Sequence, residues 1–115
     1  MQKLSLPMIG ILAAALACGC NNAKSPTAVA TDVAAARQQA STEVTDARKD
    51  AANNGDGVKS EYDVAVAQAD GDHNVAIQQC GALTGEAQKS CKERADSAYD
   101  QAKTRANVTR LSKLQ

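Results

Sequence analysis

The sequence contains no phenylalanine and no tryptophan, and its only tyrosines are Tyr62 and Tyr99. Large aliphatic side chains are also few in the middle and the second half of the sequence, where alanine supplies most of the apolar surface. Burying an alanine methyl yields far less than burying a leucine or phenylalanine, which contributes roughly 1.5 to 3 kcal/mol. This composition excludes a thick globular core and favours thin, closely packed helices.

Catalytic motifs are also lacking. The sequence has no serine-nucleophile motif, no phosphate-binding loop and no metalloprotease motif. His73 is the single histidine. Asp70, Asp72 and Asn74 flank it, but no cysteine or second histidine completes a metal-binding set, so we interpret His73 as a histidine at the edge of a helix stripe. We expect no catalytic residue, no metal site and no cofactor, and we do not expect an enzyme.

A partial calcium-loop pattern occurs at Asn54, Asp56, Gly57 and Asp63. Ala52 stands where such a loop requires its first carboxylate, and the last ligand position holds aspartate instead of glutamate. The pattern therefore does not predict calcium binding.

Charge is balanced overall but unevenly distributed. The formal net charge is zero, with acidic residues concentrated in the middle of the chain and basic residues towards its end. This distribution suits antiparallel helices, and it also suits contact between neighbouring molecules. The basic residues alternate with acidic ones and no aromatic stacking platform accompanies them, so nucleic acid is not an expected partner.

The start of the sequence has the layout of a secretory signal peptide. Lys3 gives a positive start, and residues 4–17 form an uncharged, largely apolar run that ends in small residues. Such a run is too short to remain as a membrane-spanning helix. We expect residues 1–19 to be a cleaved lipoprotein signal peptide.

The run ends in Leu16-Ala17-Cys18-Gly19-Cys20, which resembles the lipobox of bacterial lipoproteins, whose cysteine receives a diacylglycerol. Cys20 is the favoured lipidation site, because small Gly19 precedes it and an even number of thiols then remains downstream. Cys18 is the alternative. Asn21 follows Cys20 in place of the aspartate typical of inner-membrane retention, so the resemblance implies an outer-membrane lipoprotein facing the periplasm. A soluble periplasmic protein is the alternative.

The remaining chain reads as helices separated by glycine-containing turns. Residues 20–27 are predicted to be a polar tether, 28–110 an alanine-rich helical domain and 111–115 a frayed tail. Ser25 and Pro26 are typical of an N-cap and first helical position. Residues 53–57 and 81–85 are predicted turns, with Thr84 as an N-cap, and Gly71 is expected to kink the second helix.

Each predicted helix carries a stripe of small or apolar residues at steps of three and four, which is helical spacing. In the first two helices the steps give an eleven-residue period, close to that of a relaxed helix. The stripes are Val29, Val33, Ala36, Ala40, Val44, Ala47 and Ala51; then Val58, Tyr62, Ala65, Ala69, His73, Ala76 and Cys80; then Ala87, Cys91, Ala95, Ala98, Ala102 and Ala106.

Cys80 and Cys91 lie on either side of the second predicted turn. In an exported protein oxidation is the default, so we expect a structural disulfide between them. A redox-active pair would need the close C-x-x-C spacing that lowers a thiol pKa, and this pair lacks it.

The two-cysteine region also carries a family resemblance. Its residues are 61–65, 71–76, Cys80, Leu83, Gly85, 91–92, Ala95 and 99–103. Together they resemble small alanine-rich, two-cysteine exported proteins and lipoproteins of betaproteobacterial type, to which no activity is assigned. The resemblance implies export, helicity and the disulfide, and no mechanism.

The expected fold is all-α, with two to three long alanine-rich helices that form a helical hairpin or a small three-helix bundle. The expected function is a lipid-anchored structural or interaction module of the cell envelope. Its expected partners are the membrane, through the N-terminal lipid, and either a second copy or another envelope protein. The alternative is a stress-protective periplasmic protein that binds cations or unfolded clients.

Overall fold

Three helices account for almost all of residues 23–115, which are the residues that this computed structural model describes. Helix α1 spans Pro26–Asn54, α2 spans Gly57–Cys80 and α3 spans Gly85–Lys113. The described part of the chain contains no strand. The all-α prediction, with three helices, is confirmed. The predicted signal peptide and both lipidation candidates, Cys18 and Cys20, lie outside the described residues.

Local sequence explains where α1 begins and ends and where α2 begins. Ser25 is the N-cap of α1, and its hydroxyl accepts a hydrogen bond of 3.2 Å from the backbone N–H of Ala28. Gly55 ends α1 in the left-handed conformation, with φ of 67°, which glycine adopts without steric cost. Asp56 then caps α2 by accepting a hydrogen bond of 3.1 Å from the backbone N–H of Lys59.

The turn between α2 and α3 has a different capping arrangement. Thr84 takes the predicted N-cap position, but its side chain makes no capping hydrogen bond. The Gln88 side chain instead donates to the backbone carbonyl of Leu83 at 2.9 Å. Gly85 begins α3 with φ of +54°, again in the left-handed region.

The helix bounds differ from the predicted segment bounds at both ends. Helix α1 already begins at Pro26, inside the segment 20–27 that was predicted to be a tether, and α3 continues to Lys113, inside the predicted tail 111–115. The predicted tether is also fixed at Lys24, whose backbone N–H donates to the carbonyl of Gly81 at 2.9 Å. This bond places the start of α1 beside the end of α2.

Helix α2 lies between the other two helices. It contacts both α1 and α3, whereas no Cα atom of α1 lies within 8 Å of a Cα atom of α3. Residues two apart on an α-helix point about 200° apart. Accordingly, Gly71 packs on Ala40 of α1 while His73 contacts Asp96 of α3. Consecutive helices run antiparallel. The three helices therefore form a single layer with α2 in the middle, without a core shared by all three.

The stripe predicted for α1 is the face that packs on α2. Val33, Ala36 and Val44 are buried, and the other four stripe residues are half-buried. Polar or exposed residues separate the stripe positions along the helix, so the apolar face was predictable from the sequence.

Gly71 does not have the role that the sequence suggested. Helix α2 is continuous through it. A Cβ at this position would lie 3.2 Å from the Cα of Ala40 and closer still to its Cβ. The glycine thus allows α1 and α2 to approach closely, at a cost in helix propensity of about 1 kcal/mol relative to alanine.

The stripe predicted for α3 was wrong at two positions. Ala87 and Ala98 are exposed, while the adjacent Gln88 and Tyr99 are half-buried. The face towards α2 therefore runs through Gln88, Cys91, Ala95, Tyr99, Ala102, Ala106 and Arg110.

Candidate functional site

The disulfide is the one sequence-predicted site that falls within the described residues. Cys80 and Cys91 are bonded to each other within one chain, with their Cα atoms 5.6 Å apart. Cys80 is fully buried, and Cys91 is half-buried. The bond joins the last residue of α2 to the first part of α3, so the predicted pairing is confirmed.

A group of polar side chains lies further along the α2–α3 interface. His73 Nε2 and Asp96 Oδ1 are 2.7 Å apart, and the His73 ring stacks on Tyr99 with ring centroids 4.7 Å apart. The Tyr99 hydroxyl donates a hydrogen bond to Asp70, and the Lys103 ammonium lies 4.8 Å from the centre of the Tyr99 ring. We call these five residues the Tyr99 cluster.

The contacts of the Tyr99 cluster shift the pKa values of Tyr99 and Lys103. The hydrogen bond to Asp70 raises the pKa of the Tyr99 phenol above its ordinary value, because a carboxylate acceptor favours the neutral phenol. The neighbouring Lys103 opposes this rise in part. The pKa of Lys103 is raised in turn, first by its interaction with the Tyr99 side chain. These contacts align α2 and α3, and they leave Asp70 bonded to Tyr99 instead of sharing a site with His73.

The far end of the interface is held by other contacts. The Arg110 guanidinium lies 4.7 Å from the centre of the Tyr62 ring, in cation–π geometry. The Lys113 ammonium pairs with the Glu61 carboxylate. A cleft of about 370 Å³ lies between α2 and α3 at this end, and Tyr62, Arg110, Glu61 and Lys113 contribute to its lining.

The residues that imitated a calcium loop have local structural roles. Asp56 caps α2, and Asp63 forms an ion pair of 2.6 Å with Lys59 one turn earlier on the same helix. The hydrogen bond with Asp63 raises the pKa of Lys59. Among residues 23–115, no group of three or more histidine, cysteine, aspartate or glutamate side chains is placed to hold a metal ion.

Sequence reasoning missed the contacts that depend on how the helices are aligned. Tyr62 was placed on the correct stripe, but nothing in the sequence paired it with Arg110 or paired Tyr99 with Asp70. The two pairs are 48 and 29 residues apart, and only the antiparallel register of α2 and α3 brings them together. A search for aromatic and charged residues at similar sequence distances from the Cys80–Cys91 bond would have found the Tyr62–Arg110 pair, which lies 18 residues before Cys80 and 19 after Cys91.

No protein-family model, curated protein or solved structure matches this chain. None of the three described helices is both long enough and apolar enough to cross a membrane.

Proposed function

We propose that this chain is a lipid-anchored structural or interaction module of the bacterial cell envelope, with no catalytic activity, on the periplasmic side of the outer membrane. The observation that carries the proposal is the lipobox-like sequence at residues 16–20 after an apolar run. Its helical layer would act by contact with a second copy or with another envelope protein.

The disulfide supports an exported location. Stable structural disulfides form in oxidising compartments such as the bacterial periplasm and are rare in the cytosol. The bond between Cys80 and Cys91 closes a short loop around the α2–α3 turn. A layer with few large buried side chains gains much from such a bond.

The position of Lys24 supports a short connection between lipid and protein. Its backbone is hydrogen-bonded to Gly81, and only four peptide units separate it from Cys20. Four extended residues span at most about 14 Å. Lipidation of Cys20 would therefore hold the α2–α3 turn near the membrane surface.

The opposite end of the layer would then face the periplasm. Helix α2 has 24 residues, which corresponds to a length of about 36 Å. The α1–α2 turn and the end of α3 lie at that far end, since Lys113 pairs with Glu61 near the start of α2. This end is the part of the module that an envelope partner could reach.

The decisive test of the anchor is lipid labelling of the full chain in a Gram-negative host, followed by intact-mass measurement. We expect the mature protein to begin at Cys20 and to carry acyl chains. Cys20→Ser should abolish labelling, whereas the matched variant Cys18→Ser should retain it. A mature protein that begins beyond Asn21 and carries no lipid would contradict the proposal.

The interaction role is tested in two further experiments. Crosslinking in the native envelope followed by mass spectrometry should recover either a second copy or a defined envelope protein. Light scattering of the purified protein should give the same particle size with and without divalent metal. A metal-dependent change in size would favour a cation-binding protein instead.

A further inference from the structure

The cleft between the start of α2 and the end of α3 has an apolar floor. Its floor residues are Val58, Ala65, Ala102 and Ala106. Alanine methyl groups facing one another leave the space between the two helices unfilled. The volume of about 370 Å³ falls within the range of roughly 300 to 1,000 Å³ that small-molecule sites occupy.

Cationic side chains surround this floor. Arg105, Arg110 and Lys113 all line the cleft, and Glu61 is the one acidic residue among its lining residues. Glu61 is already paired with Lys113. The two arginines therefore leave a net positive charge at the cleft.

Arg110 is held in place and has a buried donor without a partner. Its Nη2 donates to Asn107 at 3.0 Å, and its guanidinium lies over the Tyr62 ring. Its Nε is buried and has no hydrogen-bond partner within the part of the chain that the structure describes. Buried polar groups nearly always have a partner, so this donor marks Arg110 as the place at the cleft where a further hydrogen-bond acceptor is expected.

We propose that this cleft binds a small amphiphilic anion, with its carboxylate at Arg110 and its apolar chain over the alanine floor. A guanidinium matches the planar geometry of a carboxylate, and the charge assists the hydrogen bond. The apolar floor contributes by removing the hydrocarbon chain from water. This proposal does not depend on export or lipidation.

Sodium octanoate is a suitable probe, because it combines the two chemical features. Titration of the oxidised protein, followed by NMR, should give saturable shifts at Val58 and Ala106, with a Kd of about 1 mM or below. Acetate, which lacks the chain, and octan-1-ol, which lacks the charge, should each bind at least about tenfold more weakly, a difference of about 1.4 kcal/mol.

Variants separate the head-group contact from the floor. Arg110→Met should weaken octanoate binding by at least about tenfold, the equivalent of one charge-assisted hydrogen bond. Arg94→Met removes an exposed arginine of the same helix that does not line the cleft, and it should leave binding unchanged. Ala106→Leu should abolish binding by filling the floor, while circular dichroism reports whether the helices persist.

Three results would each overturn the proposal. They are an absence of saturable shifts with the unmodified protein, equal binding of octan-1-ol and octanoate, and unchanged octanoate binding in a folded Arg110→Met variant. The first two need no substitution, so the proposal stays testable if a variant fails to fold.

Discussion

Helix α2 packs against α1 through small and β-branched side chains, and against α3 through a disulfide and polar contacts. The buried residues are distributed unequally between the two interfaces. Val33, Ala36, Val44, Ser60 and Gly71 are buried on the α1 side, and Ala69, Cys80 and Ala95 on the α3 side. The α1–α2 interface is thus the more closely packed of the two.

This difference teaches that a thin helical layer can hold its two outer helices by different means. Helix α3 contributes a single buried residue, Ala95. Its ion pairs with α2 are partly exposed, and exposed pairs contribute only about 0 to 1 kcal/mol each. The covalent bond at Cys80 therefore does for α3 what close packing does for α1.

Among the substitutions that test this difference, removal of the disulfide should lower the free energy of unfolding most. Cys80→Ala combined with Cys91→Ala should lower the free energy of unfolding by about 3 kcal/mol, because the closed loop no longer restricts the unfolded chain. Denaturant unfolding of this variant and of the oxidised protein measures the difference. A loss below about 1 kcal/mol, which many ordinary substitutions cause, would contradict a central role for the bond.

Gly71→Ala should break the other interface. The added methyl meets Ala40, and such overpacking typically costs about 1 to 3 kcal/mol, although alanine is the better helix former. Gly57→Ala is the control, since its new Cβ would have no neighbour within 4 Å. Thermal or denaturant unfolding compares the two. Adding Ala40→Gly should recover part of the loss, and a Gly71→Ala protein as stable as the unmodified one would mean that the close approach is absent.

Ala69→Leu tests whether the α3 side of α2 also tolerates no extra volume. Ala69 is only 5% exposed, so a leucine should be destabilising, within the range of about 1 to 3 kcal/mol for overpacking. The adjacent exposed residue gives a matched control, Gln68→Leu, which should change the melting temperature little. Equal melting temperatures for the two variants would show that Ala69 is not packed.

The smallest expected effect concerns Tyr99 and pH. Its hydrogen bond to Asp70 raises the phenol pKa, so Tyr99 should ionise at higher pH than a tyrosine in the unfolded chain, where the pKa is about 10. The corresponding stability is present below that pKa and is lost as pH rises through the raised folded value.

Ultraviolet absorbance of the tyrosinate in a Tyr62→Phe background measures the Tyr99 titration alone, since the sequence has two tyrosines. Asp70→Asn should move this titration to lower pH because it removes the carboxylate acceptor. An unchanged titration would show that the Tyr99–Asp70 hydrogen bond does not persist in solution.

The sequence predicted the helices, their turns and the disulfide because each has a local signal. Ser25-Pro26, the glycine at position 55 and the spacing of Cys80 and Cys91 all act over a few residues. The α1 face was also predictable, because valines mark its stripe.

The face of α3 that packs on α2 was not predictable, because alanine occurs on several sides of that helix and a methyl group does not identify the buried side. Tyr99 lies beside Ala98, and only the alignment with α2 selects it. The role of Gly71 was also not predictable from the sequence. A glycine that kinks a helix and one that permits a close approach have the same sequence signal, and only the facing Ala40 distinguishes them.

Hydrogen exchange measured by NMR, with the disulfide intact and after reduction, tests the central claim most directly. In the oxidised protein all three helices should be protected. After reduction the amides of α3 should lose protection, while those of α1 and α2 keep most of theirs, because close packing still holds that pair. Equal loss of protection in all three helices, or loss in α1 before α3, would contradict the claim that the disulfide holds α3 and packing holds α1.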